Sequence, residues 1–387
     1  MKPLSEAILN SQKSAIRKLF ELLLKSSDGI SFGIGQPDFT SPDFVNNEII
    51  KALKEHKTQY APALGLPTLR RVVAQKFQNE NKIKLADTEN IIITNGGSQA
   101  LQLCFASLSN PGDEVILSSP NFLSYIYLAS YYHLKLVEVP RLGNYAPDLE
   151  GIRKAVTPKT KFIIINSPNN PTGNVFTKKQ MDELVQIVLE NDLYLVSDEV
   201  YEKFLYENRK HISPASYDEM FERTLTLNAL SKTFGATGLR LGYIAANQDI
   251  IKLMEKYGQY TTAGVNHPTQ YGAIEALVKG NPEIPQVIQQ YNKKRLFVVK
   301  RLKELQFEVI EPYGAFYIMP KLNPKWNMTS EEFSNNLVKE EHVACVPGNS
   351  FGSYSNDSLR ISYATTDELL EEGFNRIERF LKRKKMI

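Results

Sequence analysis

Lys232 stands in the segment Asn228-Ala229-Leu230-Ser231-Lys232-Thr233-Phe234-Gly235, eight residues ahead of Arg240, which Gly238 and Gly242 flank. A lone lysine in a loop is ordinarily a solvated surface charge, but this one has company. Asp198 begins Asp198-Glu199-Val200-Tyr201 just after the run Leu193-Tyr194-Leu195-Val196. A carboxylate at the end of a buried strand is costly unless it meets a cation or a proton on a ligand. Its plainer alternative is a helix cap, with Glu199 and Tyr201 as bystanders. Asn95-Gly96-Gly97-Ser98-Gln99 offers free amides where a helix opens, an anion site suited to a phosphate. Taken alone, the same residues read as an ordinary capped turn. In Asn166-Ser167-Pro168-Asn169-Asn170-Pro171-Thr172-Gly173, a turn accounts for Asn169, whereas Asn170, wedged before Pro171, is placed to address a ligand.

Each of these segments follows a short apolar run. Ile91–Thr94, Glu114–Leu117, Leu136–Val139, Phe162–Ile165, Leu193–Val196 and Thr224–Leu227 lack polar alternation, which marks strands covered on both faces of a largely parallel sheet. Helical periodicity lies between them, as in Lys179–Glu190, where Met181, Leu184, Val185 and Val188 share a face. Alternating strand and helix means an α/β fold, and ligands of such sheets bind beyond the carboxyl ends of the strands. That is where the four segments fall. The ends of the chain differ. Residues 1–45 hold an amphipathic helix and the turn Gly33-Ile34-Gly35-Gln36-Pro37-Asp38, and helices beyond 280 interleave with the expected strands Phe307–Ile310 and Ala315–Ile318. The expected division is an N-terminal arm and part of a small domain (1–45), a large ligand-binding domain (46–280) and a C-terminal small domain (281–387). The cleft between them is the natural ligand site.

Composition removes several other classes. Lys and Arg total 46 against 43 Asp and Glu, a net charge of +3, so no basic stripe suited to nucleic acid arises. The run Lys382-Arg383-Lys384-Lys385 reads as a solvated last helical turn. Two cysteines and five scattered histidines supply neither a disulfide framework nor a metal-ligand cluster. No repeat, secretory leader or membrane-length apolar run is visible. A soluble cytoplasmic enzyme without metal, nucleic acid or membrane partner is the expectation.

An anion nest, a buried acid and a lysine converging on one cleft meet the needs of pyridoxal phosphate. The amine forms an imine with the aldehyde, the acid keeps the pyridine nitrogen protonated, and helix-end amides with an arginine hold the phosphate. The same lysine, once displaced, can carry the proton removed from a substrate Cα, for which its usual pKa of about 10.4 must fall.

With these motifs in the order Asn169-Asn170-Pro171-Thr172-Gly173, Asp198-Glu199-Val200-Tyr201 and Ser231-Lys232-Thr233-Phe234-Gly235…Gly238-Leu239-Arg240-Leu241-Gly242, the chain resembles a class I/II aminotransferase, of pyridoxal-phosphate fold type I, over nearly its whole length. Ser14-Ala15-Ile16-Arg17 and Gly35-Gln36-Pro37-Asp38-Phe39 are similar to the subgroup holding many prokaryotic aspartate and aromatic aminotransferases. The resemblance implies a large domain with a mostly parallel sheet between helices, and a smaller α+β domain built from both termini. It implies Lys232 as the Schiff-base lysine, Asp198 at the pyridine nitrogen, and Tyr201 and Asn170 at the ring oxygen. Gly97, Ser98 and Gln99 would bind the phosphate with Ser231 and Arg240, and Phe122 would stack on the ring. Arg360, in Leu359-Arg360-Ile361-Ser362, would grip the substrate α-carboxylate beside Gly35. Tyr60 would reach the cofactor of a neighbouring subunit, with Asn266 at the same interface, making a homodimer with shared sites.

Ala229 and Leu123 depart from the family pattern, in which a phosphate-binding serine and a proline are frequent. No second arginine presents itself for a dicarboxylate side chain, so the donor stays open. The resemblance implies ping-pong transfer between an L-amino acid and a 2-oxo acid. A β-eliminating C–S lyase on the same scaffold, or a non-catalytic regulatory module, are the alternatives.

Overall fold

The structure, a computed structural model, describes residues 4, 6–9, 23, 26–84 and 87–387. Ser14-Ala15-Ile16-Arg17, with most of the expected N-terminal helix, lies outside the described residues.

A seven-stranded sheet forms the centre. Its strands are β2 (Ile91–Thr94), β3 (Glu114–Ser119), β4 (Lys135–Pro140), β5 (Thr160–Asn166), β6 (Tyr194–Asp198), β7 (Thr224–Ala229) and β8 (Gly242–Ala245). Their spatial order is β2-β8-β7-β6-β5-β3-β4, with β8 antiparallel to both neighbours and every other pair parallel. Six of these strands carry the expected apolar runs, β6 beginning one residue later than expected, at Tyr194. The seventh, β8, is only four residues long and begins and ends on the small residues Gly242 and Ala245, so its pattern is silent in the sequence.

The apolar runs are unbroken because both faces are covered. Val115, Leu117, Phe162 and Ile164 pack on one side with Leu101, Cys104 and Phe105 of α3 (Gly96–Leu108) and Tyr125 of α4 (Leu123–Tyr131). The intervening Ile116, Ile163, Ile165 and Leu195 pack on the other side with α6 (Lys178–Glu190), as the two-residue repeat of a strand requires. Between α4 and α6 lies α5 (Leu149–Ala155). Helix α6 starts with a reciprocal cap between Thr177 and Gln180, then buries Met181, Leu184, Val185 and Val188 on one face. Each such side chain contributes about 1.5–3 kcal/mol on burial. Helices α1 (Asp43–Lys54), α2 (Pro67–Asn79) and α9 (His267–Lys279) pack together in a further core with β2 and β8. The short helix α7 (Leu230–Thr233) follows β7, and α8 (Gln248–Thr261) lies against α3.

The C-terminal helices α10 (Ile284–Glu304), α11 (Ser330–Glu341) and α12 (Asp367–Arg383) share one core with β9 (Tyr317–Ile318) and β12 (Leu359–Ser362). These two strands and β11 (Val346–Pro347) form a small antiparallel sheet in the order β11-β12-β9. The N-terminal strand β1 (Ile30–Ser31) pairs in parallel with β10 (Val343–Ala344), and Phe32 packs against Phe374 at 5.7 Å. Tyr201, Phe204 and Tyr206, which follow β6, join this same core. Helix α12 buries Leu370, Phe374, Ile377 and Leu381, the i, i+4, i+7 spacing of one helical face.

Two expected strands need correction. Phe307–Ile310 contributes only the isolated bridge Glu308–Lys321, because Phe307 turns into a cluster with Trp326 and Phe333 and Pro312 offers no amide to a ladder. Of Ala315–Ile318, only Tyr317 and Ile318 are strand.

Candidate active site

The parallel strands end on one rim, where Ser119, Asn166, Asp198 and Ala229 stand at the ends of β3, β5, β6 and β7. Strand β8 enters this rim at Gly242, between Thr94 and Ala229. A Cβ there would come within 3.0 Å of the Gly96 carbonyl carbon, Thr94 Oγ1 and the Gly97 nitrogen, so only glycine lets these backbones meet. Above the rim lies a cavity of about 370 Å³. It gathers Gly35, Gly97, Ser98, Phe122, Asn170, Asp198, Tyr201, Ser231, Lys232, Arg240 and Arg360.

Asp198 is buried, and burial pushes its carboxyl up to about 6. Its Oδ2 accepts a 2.6 Å hydrogen bond from the Tyr125 hydroxyl and its Oδ1 one from the Val200 amide at 3.3 Å; both oppose that rise. Asn166 ties two strand-end segments together: its Nδ2 donates to the Asp198 carbonyl at 3.0 Å, and its Oδ1 accepts from the Asn170 amide at 2.7 Å. Behind the rim, Glu199 accepts from Asn81, Ser197 and Ser213 at 2.7–2.9 Å and pairs with His211, while Glu202 pairs with Lys76. Glu199 therefore anchors the back of the rim, away from the cavity.

Lys232 donates from Nζ to the Gly35 carbonyl at 2.7 Å and lies 5.7 Å from the centre of the Tyr201 ring. Burial, reinforced by the positive charges of Arg360 and Arg240, lowers its amine to about 8, against the opposing pull of Asp198. The Tyr201 hydroxyl is 2.9 Å from that of Tyr317, and burial holds its phenol well above the usual range. Arg360 is fully buried, with its guanidinium 4.8 Å over the Tyr317 ring. It donates to Asn170 Oδ1 at 3.2 Å and to the Gly33 carbonyl, and its buried Nε has no hydrogen-bond partner. Arg240, at φ +51°, donates to Ser98 Oγ at 3.4 Å and to the Thr237 carbonyl at 3.0 Å.

Gly97 and Ser98 lie in the first turn of α3, which opens at Gly96. Phe122 precedes α4 at the capping position. Asn169 Oδ1 accepts from the Thr172 amide and hydroxyl, closing the turn that leaves Asn170 on the cavity wall. Ala229 lines the cavity with a methyl group, and Leu123 turns away toward Tyr145, Met319 and Phe351.

Gln99, expected at the phosphate, does not line the cavity, and Tyr60, expected at a neighbouring subunit's cofactor, lies outside the cavity of its own chain. The Gln99 side chain accepts from the Asn95 amide at 2.6 Å and donates to Thr262 Oγ1 at 2.5 Å, clamping α3 to the end of α8. Tyr60 is 89 % exposed and lines a separate surface hollow with Asn266, whose Oδ1 caps α9 through the Thr269 amide. Among the lining residues not singled out in the sequence are three with polar groups at the heart of the site, Asn166, Tyr125 and Tyr317. Asn166 sits at a strand end and was recoverable by that rule. The two tyrosines look like ordinary core aromatics.

The donor set suits pyridoxal phosphate. Lys232, Arg240 and Arg360 face the cavity without an ion pair to any carboxylate among the described residues, and the positive end of α3 adds to them. The Gly97–Gly242 approach leaves backbone where a phosphate needs it. A parallel sheet covered on both faces, with an amine, an acid and an anion nest on its carboxyl rim, defines a pyridoxal-phosphate enzyme.

Comparison with known proteins gives the family. Residues 27–377 match the family model "Aminotransferase class I and II". An aspartate aminotransferase of Pyrococcus abyssi is 40% identical over 377 residues, covering 96% of this chain and 97% of that protein. Aromatic-amino-acid aminotransferase 2 of Thermococcus litoralis is 39% identical over 388 residues, covering 99% and 100%. The solved structure of aspartate aminotransferase from Thermus thermophilus with maleate superposes with a TM-score of 0.93 at 35% identity, covering 98% and 100%. The chain belongs to the class I and II aminotransferases. It is a pyridoxal-phosphate-dependent transferase acting on amino acids; of the activities its motifs left open, amino-group transfer is the one this family carries.

Proposed function

We propose that the cavity holds pyridoxal phosphate on the rim and an amino acid or 2-oxo acid at Arg360, exchanging the amino group in two alternating half-reactions. Charge balance carries this reading. Lys232, Arg240 and Arg360 line the cavity, and Asp198 is the one acid among the lining residues, so the pocket is built for anions.

Bound there, pyridoxal phosphate supplies an aldehyde to take up the amino group and a ring to accept the electron pair left at Cα. The Gly97 and Ser98 amides, with Ser231 and Arg240, would hold the phosphate. Gln99 would contribute its backbone alone, since its side chain is committed elsewhere. Asp198 would keep a proton on the ring nitrogen, Tyr201 and Asn170 would bind the ring oxygen, and Phe122 would cover one face. Lys232 would hold the aldehyde carbon and, when displaced, carry the Cα proton at Nζ, a task its amine near 8 suits. Arg360, which lines the same cavity as Gly35, would bind the α-carboxylate by two parallel N–H donors.

The names of the relatives support aspartate and aromatic donors. Incubation with pyridoxal phosphate, 2-oxoglutarate and either L-aspartate or L-phenylalanine is expected to yield glutamate. Pyruvate from cystathionine, with no glutamate, would overturn transfer.

The exposed Tyr60 and Tyr260 and the hollow beside Asn266 support a homodimer in which Tyr60 completes the partner's site. The separate cores support large and small domains divided near residues 45 and 280. The unpaired thiols of Cys104 and Cys345 support a cytoplasmic setting. No described helix is long and apolar enough to cross a membrane.

A further inference from the structure

Tyr125 is fully buried in the third position of α4, and its hydroxyl meets Asp198 Oδ2 at 2.6 Å. Its ring contacts Phe122 edge to face, with centroids 5.6 Å apart at 83°. We propose that Tyr125 is a positioning residue of the cofactor site, locked by Phe122 and donating to Asp198 so that the acid stays ionised and aimed into the cavity. The proposal rests on the reading that Asp198 addresses the ring nitrogen.

The geometry carries it. A length of 2.5–2.7 Å is that of a hydroxyl donating to a charged oxygen, about twice as strong as a neutral pair. The phenol is shielded from water and burial keeps it protonated, so it remains a donor across the working pH range. Burial by itself would neutralise Asp198, and a neutral acid cannot stabilise a protonated ring nitrogen. The other groups facing Asp198 are Lys232 from α7, which favours the charged form, Glu199 next in the chain, which disfavours it, and the neutral Cys104 of α3 and Tyr201. The Tyr125 hydroxyl, the one neutral side-chain group hydrogen-bonded to the Asp198 carboxylate among the described residues, can be removed without changing the net charge of the site. With Oδ2 engaged by Tyr125 and Oδ1 held only by the long Val200 contact, Oδ1 is the oxygen left to meet a ligand.

A purely packing role for Tyr125 predicts lost stability but no change in the ionisation of Asp198. The test follows the Asp198 carboxyl band by infrared spectroscopy in the full-length, cofactor-free protein, labelled at aspartate and assigned by loss of the band in Asp198→Asn. The midpoint, near 6 in the unaltered protein, is expected to rise by about one unit in Tyr125→Phe. Pyridoxal phosphate should then bind about tenfold more weakly at pH 5, where the shift leaves the acid largely protonated, and almost as tightly as before at pH 8, while inorganic phosphate binds unchanged at both. Installing 3-fluorotyrosine at position 125 makes a stronger donor and should move the midpoint down, which keeps the test alive if the phenylalanine variant fails to fold. A midpoint unmoved by either replacement overturns the proposal. The role of Asp198 itself reads out separately: undiminished turnover by Asp198→Asn sinks that assignment, whatever the band does in the Tyr125 variants.

Discussion

Lys232 Nζ donates to the carbonyl of Gly35 across 197 residues of sequence, joining the carboxyl rim of the central sheet to the turn that follows β1. The amine has no acidic partner within ion-pair distance among the described residues and is held in place by a neutral oxygen. It can therefore leave this contact without breaking a salt bridge. Lys232→Ala is expected to lower kcat by about 10⁴-fold or more, since both the covalent anchor and the proton carrier are lost. Steady-state transfer assays check this, and near-normal turnover would refute the assignment.

Burial of Lys232 and Asp198 also sets a pH signature of stability in the cofactor-free protein. Lys232 titrates near 8 when folded and near 10.5 when exposed, so between those values the unfolded chain binds the extra proton. Its contribution to stability therefore rises with pH across that window, and its burial penalty is fully present below 8. Asp198 titrates near 6 when folded and near 3.8 when exposed, so the folded chain holds the extra proton between them. Its contribution falls as pH rises from 3.8 to 6, and its penalty is fully present above 6. Lys232→Met and Asp198→Asn should each stabilise the cofactor-free protein at pH 7, by about 1–3 kcal/mol. The first gain should fade toward pH 10.5 and the second toward pH 4. Thermal unfolding measured across pH decides it; a gain independent of pH would show that packing, not charge, is responsible.

Arg360 is buried, lines the cavity and is held by two neutral oxygen partners, so no carboxylate of the described residues neutralises the charge it offers to an anion. Arg360→Lys keeps the charge but loses the fork, and should cost about 1.5–3 kcal/mol in kcat/KM, roughly ten- to a hundredfold. The loss should appear with every amino donor and mainly in KM. If one donor alone suffered, the arginine would be reading a side chain instead.

How legible this site was depends on where each residue lies. Lys232, Asp198, Asn170 and Arg240 follow apolar runs, and the strand-end rule finds such positions without coordinates. Tyr125 and Tyr317 lie inside elements, where an aromatic residue normally means core, and only the fold turns their hydroxyls onto Asp198 and Tyr201. Gln99 shows the converse. Its place in the α3 turn is legible, but its side chain is drawn off to Thr262, 163 residues away. In the same way Phe307 is β-prone in sequence, yet packing with Trp326 overrides strand pairing.

Gly35 gives a steric prediction. A Cβ at this position would stand 2.4 Å from the Tyr317 hydroxyl, which is buried and bonded to Tyr201. Gly35→Ala should therefore displace both tyrosines and lower kcat/KM by about tenfold or more, through a misplacement near the reacting atoms. Tyr317→Phe removes the clashing oxygen, so the double variant should recover part of the loss. Additive losses in the double variant would mean that the two residues do not meet in the working enzyme.

The shared-site reading can be tested by mixing two dead chains. Tyr60 is 89 % exposed and lies outside the cavity of its own chain, so its expected role requires a second copy. In a hybrid of Lys232→Ala with Tyr60→Ala, one site carries both lesions and the other carries neither. An equal mixture that reassorts freely makes half its dimers hybrid, each with one intact site of two, so activity should return to about a quarter of the unaltered level. The comparison needs each parent to be nearly inactive alone, which Tyr60→Ala meets at limiting pyridoxal phosphate if it weakens phosphate binding. Native mass spectrometry would confirm that hybrids have formed. Hybrids without recovered activity would place Tyr60 outside the partner's site and leave the cavity complete within one chain.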